Sequence, residues 1–351
     1  TIDSRIQKFI YDELSQYKVA ACCVLDMEGN VVALVSYPGY DIQAMSSEIS
    51  KAQWDELNNS MYKPLLDRFT NSLYPPGSIF KIVTAYAALK ERIISPNDKL
   101  YCLGGVKEGN RVFHCWNRGG HGKINISNAL VYSCDCYFFE LAKKLGIQKI
   151  AHYARELGYG QKVGIGLPNE KDGLVPDKLW KLWRYKSDWK TYETMLVGIG
   201  QGALLTNLIQ TATMFGKLYS NDLNYSPHLI VDENQPEKEK IPLDKYAVDI
   251  IKQALHAVCE RGTARKSCKV EYGISGKTGS SQVRTMKSGE AGLNQSLIDW
   301  KYRDHAFFAG VAPYNNPKYI VAVLVEHGGG GSSVAAPIAR KIFDELLHEH
   351  R

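Results

Sequence analysis

A serine and a lysine stand three residues apart, Ser78 and Lys81, in the stretch YPPGSIFKIVTAYAAL that covers residues 74–89. The apolar residues that follow predict a helix, and on a helix positions i and i+3 share a face. An uncharged lysine amine beside a hydroxyl can take its proton and make the serine a nucleophile. Pro75, Pro76 and Gly77 set the entry to the helix, so Ser78 falls in its first turn, where backbone N–H groups lack helical partners. Such groups suit an oxyanion. An ammonium on an otherwise apolar helix thereby gains a use as a base.

That pair is weak by itself, because Ser15 and Lys18 have the same spacing. Serine–lysine acyl transfer uses two further motifs, S-x-[ND] and K-[ST]-G. Ser133-Cys134-Asp135 fits the first, and Lys277-Thr278-Gly279, followed by Ser280, fits the second. Ser95-Pro96-Asn97 and Lys287-Ser288-Gly289 also fit. However, the former sits in a proline turn and the latter in a charged stretch without strand character. Glycines on either side of Lys277-Thr278 weaken a strand unless a backbone or ligand must come close.

Hydrophobic periodicity gives the helices and strands that carry these residues. Residues 2–16 read as an amphipathic helix and 19–36 as a hairpin around Met27–Asn30. From about 75 to 260 the pattern is mostly helical. SNALVYSCDCYFFELAKKLG, ending at Gly146, and LLTNLIQTATMFGKLYSN are its clearest helices. Strands return in YGISGKTGSSQV, DHAFFAGVAP and KYIVAVLVEHG, and a helix closes the chain over about 336–347. The expected fold is α+β: an antiparallel sheet from both chain ends (about 1–70 and 261–351), flanked by the terminal helices. A mostly helical half (about 71–260) is inserted between them. Residues 230–244 read as a surface excursion and 284–300 as a mobile loop.

The 351 residues are 44% hydrophobic and 23% charged, as in an ordinary globular chain. A net charge of +6, scattered along the sequence, gives no nucleic-acid footprint. No run of eighteen apolar residues spans a bilayer. The opening TIDSRIQKFIYDEL reads as the interior of a longer protein whose targeting segment lies outside this chain.

Taken together and in this order, YPPGSIFK, YSCDCYFF and SGKTGSS resemble the transpeptidase domains of class B penicillin-binding proteins, in particular their cell-elongation subgroup. GNVVALVSYPGYD, VGIGQGALLTNLIQTA and the final KYIVAVLVEHGGGGSSVAAPIARKIFD extend the resemblance over essentially the whole chain. Asp135, where most relatives carry asparagine, is similar to that subgroup. The resemblance implies that Ser78 attacks the penultimate D-alanine carbonyl of a peptidoglycan stem peptide, with Lys81 as base and Ser133 as proton relay. Lys277 is implied as a second cation that disfavours protonation of Lys81. The N–H groups of Ser78 and Ser280 would form the oxyanion hole. Lys277, Thr278 and Ser280, on the strand with Gly279, would hold the terminal carboxylate of a donor peptide or a β-lactam, and Asp135 would accept from a substrate amide.

No cofactor is implied for that chemistry. Also implied are a single N-terminal membrane anchor and a pedestal domain outside this chain, placing it at the periplasmic face of the inner membrane. A membrane glycosyltransferase and an elongation scaffold protein are the implied partners. A serine β-lactamase, a penicillin-sensing receptor domain and a D,D-carboxypeptidase are the competing readings. No residue stands out as an activator of water for a β-lactamase.

The chain also has eight cysteines. Cys102, Cys115, His121 and Cys134 follow C-x12-C-x5-H-x12-C, and three thiolates with one imidazole make a tetrahedral zinc set. Cys134 is the middle of Ser133-Cys134-Asp135. If its neighbours face the cleft, it faces away, towards a metal that braces the catalytic loop. A Cys102–Cys115 disulfide and unrelated buried thiols remain alternatives, with His114 or Cys136 as substitute ligands. Cys259 and Cys268 flank the basic loop ERGTARKS and are a candidate pair. Cys22 and Cys23 alternate on a strand and read as packing residues.

Overall fold

The computed structural model describes residues 1–46, 49–231, 239–284 and 295–348. The expected surface excursion and mobile loop therefore fall partly, and the Lys287-Ser288-Gly289 motif wholly, outside the described residues.

Five strands form one antiparallel sheet: β1 (Ala20–Asp26), β2 (Val31–Tyr37), β7 (Ser275–Ser281), β8 (His305–Ala312) and β9 (Tyr319–Val325), in the order β2-β1-β9-β8-β7. Short strands β3 (Leu100–Cys102) and β6 (Gly122–Ile124) pair with each other, as do β4 (Gly105–Glu108) and β5 (Arg111–His114). Residues from both chain ends thus build the main sheet, and the class is α+β.

Both faces of the sheet are covered, so β1 is apolar from Ala20 to Leu25 and its side chains divide by parity. Ala20, Cys22 and Val24 meet the terminal helices Ser4–Leu14 and Ala336–His348 through Ile6, Ile10, Leu14, Ile338, Ile342 and Phe343. Ala21, Cys23 and Leu25 join the other core, which includes the helices Lys81–Lys90 and Leu208–Ser220. Cys22 and Cys23 are packing residues on opposite faces, as their adjacency predicts. Asp3 caps the first helix by accepting from the Arg5 and Ile6 N–H groups, an arrangement that contributes about 1 kcal/mol. Asn207 and Gln210 form a capping box on Leu208–Ser220, the central helix beneath β1, β8 and β9.

Two features position the motif residues. Strand β7 lies at one edge of the sheet, with the turn Gly77–Phe80 resting on it. The stretch SNALVYSCDCYFFELAKKLG is not one helix: it breaks into Ile126–Val131 and Asp135–Leu145. Ser133 lies in the break with φ +54°, a conformation that costs a non-glycine residue about 1–2 kcal/mol. Cys134 then caps the second helix, its sulfur accepting from the Tyr137 N–H at 3.4 Å. The apolar periodicity continues through the break, which is why the sequence conceals it. Gly146 ends the second helix, as predicted.

Candidate active site

Ser78 lies in the 3-10 turn Gly77–Phe80, and Lys81 opens the helix Lys81–Lys90, its N–H reaching back to the Ser78 and Ile79 carbonyls. The turn is locked by backbone contact. Gly77 donates to the Gly200 carbonyl at 2.9 Å. Gly77 and Gly200 have φ of +56° and +77°, and a Cβ on Gly200 would come within 2.0 Å of the Gly77 oxygen. On the other side, a Cβ on Gly77 would come within 2.6 Å of the Ser280 carbonyl. Only glycine permits this approach, which sets the Ser78 turn against the edge strand. Upstream, Tyr74 exchanges two 2.8 Å backbone bonds with Thr206. Its hydroxyl donates to Glu326, which also takes the buried Arg68.

Lys81 is fully buried, and its ammonium has three donors. They meet the Ser133 carbonyl at 2.9 Å, the Ser133 hydroxyl at 3.2 Å and Asp135 Oδ1 at 2.6 Å. Lys277, equally buried, reaches the same Ser133 hydroxyl at 3.0 Å and the Thr278 carbonyl at 3.2 Å. One hydroxyl therefore bridges two lysine nitrogens. The Lys277 pKa is pushed well below the ordinary lysine value by burial first and by the Lys81 charge second. Asp135 opposes this only in part.

Both oxygens of Asp135 are engaged. Besides Lys81, it accepts the Trp116 backbone N–H at 2.8 Å. The sequence reading gave Asp135 to a substrate amide, whereas its contacts within the fold are the lysine and this N–H. The Trp116 indole N–H meets the Tyr132 and Ser133 carbonyls at 3.0 and 3.1 Å. Thr278 is buried in β7, its hydroxyl 2.8 Å from that of Thr263. Gly279 is buried and Ser280 exposed on the same strand. Gln201 reaches the Ser280 carbonyl at 3.4 Å.

Behind the Ser133 turn, Cys102, Cys115, His121 and Cys134 place four ligand atoms within 4.8 Å of one another. His121 Nδ1 lies 3.6 Å from both the Cys102 and Cys115 sulfurs. Tetrahedral zinc with ordinary Zn–S and Zn–N bonds separates such atoms by about 3.6 Å, so the set fits. The Cys115 thiol is held far below its ordinary pKa by hydrogen bonds from Cys134 and then Cys136. All eight cysteines are free, Cys102 and Cys115 included. His114 is exposed and outside the cluster. Cys136 lies beside the cluster, against Cys115 and Cys102.

Among the described residues, the alternative motifs Ser15–Lys18 and Ser95-Pro96-Asn97 sit apart from the Lys81, Ser133 and Lys277 cluster. Ser15 caps the end of the first helix with Lys18 beyond it, and Ser95-Pro96-Asn97 forms a surface turn.

Comparison with known proteins decides the family. Residues 20–344 match the penicillin-binding protein transpeptidase domain. The chain belongs to that family. Over 99% of its length the transpeptidase domain is 34% identical to the peptidoglycan D,D-transpeptidase MrdA of Haemophilus influenzae, covering 56% of that protein. It is 31% identical over 99% of its length to MrdA of Escherichia coli, covering 57%. The chain thus spans little more than half the length of these relatives.

Among solved structures, Pseudomonas aeruginosa PBP2 in complex with WCK 5153 superposes with a TM-score of 0.88 at 34% identity, over 99% of this chain and 77% of that one. The complex of PBP2 and MreC from Helicobacter pylori gives 0.91 at 32%, over 99% and 63%.

Several residues of the transpeptidase domain's site escaped the sequence reading. Trp116 follows a cysteine and has no motif of its own. Thr263 is part of a loop notable only for its charge. Gly200 and Gln201 lie within VGIGQGALLTNLIQTA, but their contacts with Gly77 and Ser280 are set only by the fold.

Proposed function

We propose that this domain carries out peptidoglycan D,D-transpeptidation of the cell-elongation type through an acyl-enzyme on Ser78. The observation that carries the reading is the Ser133 hydroxyl held between Lys81 and Lys277 beside the nucleophile turn. Burial and like charge oppose two ammonium groups there, so the pair shares one positive charge, balanced by Asp135. Moving a proton from Lys81 through Ser133 to Lys277 leaves Lys81 as a neutral amine.

Ser78 then loses its proton to Lys81 and attacks the penultimate D-alanine carbonyl. The oxyanion is received by the N–H groups of Ser78 and Ser280. Collapse breaks the C–N bond, and Ser133 passes the proton to the leaving nitrogen of the terminal D-alanine. The amine of a second stem peptide then attacks the ester, giving a proton to the same base, and Ser78 recovers its own. Lys277, Thr278 and Ser280 hold the donor's terminal carboxylate, a role a β-lactam carboxylate would share. These steps use no metal.

The cysteine–histidine set holds a structural zinc in this reading, since four protein ligands leave no open position for substrate. The domain works outside the cytoplasmic membrane beside a glycosyltransferase and an MreC-type scaffold. Similarity to the Helicobacter pylori PBP2 that was solved with MreC supports the scaffold partner. Among the described residues no helix is long and apolar enough to cross a membrane.

Intact mass after adding a penicillin tests the reading. A stable adduct of one drug mass, absent in Ser78→Ala, is expected. Rapid loss of the adduct with drug hydrolysis would indicate a β-lactamase instead, and an adduct that survives Ser78→Ala would remove Ser78 as nucleophile.

A further inference from the structure

The loop after the helix Lys245–Arg261 touches two motif carriers at once. Gly262 is pressed on the end of Ile126–Val131, where a Cβ would come within 2.5 Å of the Val131 carbonyl. The Thr263 N–H donates to that carbonyl at 3.3 Å. Arg261 reaches the Tyr132 hydroxyl at 3.2 Å, one residue before Ser133. From this anchored backbone the Thr263 hydroxyl meets the Thr278 hydroxyl at 2.8 Å. Two hydroxyls at that distance share one hydrogen bond, and each has a single proton to give.

We propose that Thr263 is a positioning residue that donates to Thr278 Oγ1, so that the Thr278 proton points at the carboxylate of the incoming donor. If Thr278 gave its proton to Thr263, it would turn a lone pair towards an anion and repel it. With Thr263 as donor, the chain Thr263–Thr278–carboxylate runs in one direction, and each bond polarises the next. The loop's anchorage on Val131 and Tyr132 makes this more than a local contact. The group orienting the carboxylate subsite is tied to the segment that carries Ser133, so subsite and proton relay are held in register. This rests on the transpeptidase reading above.

The test compares two probes of Ser78 on the purified domain. A penicillin carries the carboxylate; phenylboronic acid binds a nucleophilic serine without one. Thr263→Val keeps the shape and removes the hydroxyl. It is expected to slow penicillin acylation by up to about tenfold, the upper scale for one neutral hydrogen bond, while phenylboronate affinity stays within about twofold. Thr263→Ser, which retains the donor, is expected to restore the acylation rate.

Equal losses with both probes would show a structural brace and overturn the proposal, as would an unchanged penicillin rate in Thr263→Val or failure of serine to rescue. If the wild-type domain takes neither probe at Ser78, the transpeptidase reading fails and this inference fails with it. That outcome is distinct from a responsive wild type with an indifferent Thr263→Val.

Discussion

On one side of the Ser133–Cys134–Asp135 turn, two lysines and a carboxylate crowd one hydroxyl. On the other, three thiols and an imidazole converge within 4.8 Å of one another. Both clusters are polar and largely buried, but the lysine cluster joins residues 81 to 277 while the cysteine–histidine set lies within residues 102–134. They differ in what a missing group would do. The cysteine–histidine set has a mutually satisfying solution, a dication that four ligands close around. The lysine cluster is compensated only in part, since Asp135 offsets one charge of two lysines. Lys277 is buried beside a like charge, and the αL backbone of Ser133 adds strain. On the proposed zinc reading, stability would be stored in the cysteine–histidine set and given up at the lysines, with the Ser133–Asp135 turn between them.

The largest expected effect tests that contrast at its unstable end. Lys277→Met fills the same space without charge. Penicillin acylation should fall by roughly 10³-fold, within the range of proton-transfer contributions. Ser133 keeps its bond to Lys81, so the fold should not suffer. Because the folded-state pKa of Lys277 is depressed, the unfolded chain binds more protons below the ordinary lysine pKa. The wild type therefore gains stability as pH rises towards that value. The variant escapes this penalty. Its Tm at pH 7 should exceed that of the wild type by about 2–4 °C, and the gap should narrow as pH approaches the ordinary lysine pKa. A lower Tm at pH 7 would mean that Lys277 stabilises the domain, and the contrast would collapse.

The other end gives a smaller effect on catalysis and a larger loss of stability. Cys115→Ser removes one ligand of four. Bound zinc, measured by elemental analysis, should fall from about one per chain to near zero, and Tm should drop by about 5 °C or more. Acylation should slow by no more than about tenfold if, as proposed, the set braces Ser133 from behind without touching substrate. A chelator should lower the wild-type Tm and leave the variant unmoved. Full zinc retention in Cys115→Ser would show that these four residues are not the ligand set.

How much of this was legible depended on whether a feature is local in sequence. The three motifs, the cysteine–histidine spacing and the antiparallel sheet follow from residue type, order and periodicity. The break at Ser133 does not, because the apolar pattern runs straight through it and only Cys134 capping Tyr137 reveals a second start. The engagement of Asp135 by Trp116, and of Thr278 by Thr263, joins residues 19 and 15 positions apart across turns. Nothing in composition marks such pairs. The Gly77–Gly200 contact spans still more chain. Here tertiary packing, rather than propensity, decided the geometry.

Asp135 belongs to both regions, since its carboxylate faces Lys81 while its backbone follows Cys134, and its replacement should give the smallest effect of the three. Asp135→Asn keeps an oxygen for Lys81 but removes the negative charge and the acceptor for one of two donors. The Asp135 charge acts to raise the Lys277 pKa, so its removal should depress that group further and make the protonated lysine pair less favourable. The acid limb of the acylation–pH profile should move to lower pH, by about one unit for a charge this close. The maximal rate should change by less than about tenfold, and zinc content should stay at the wild-type level. An acid limb that stays in place would show that the carboxylate does not set the charge on the lysines. A shift to higher pH would reverse the sign of the electrostatic argument and return Asp135 to the substrate-amide role first read from the sequence.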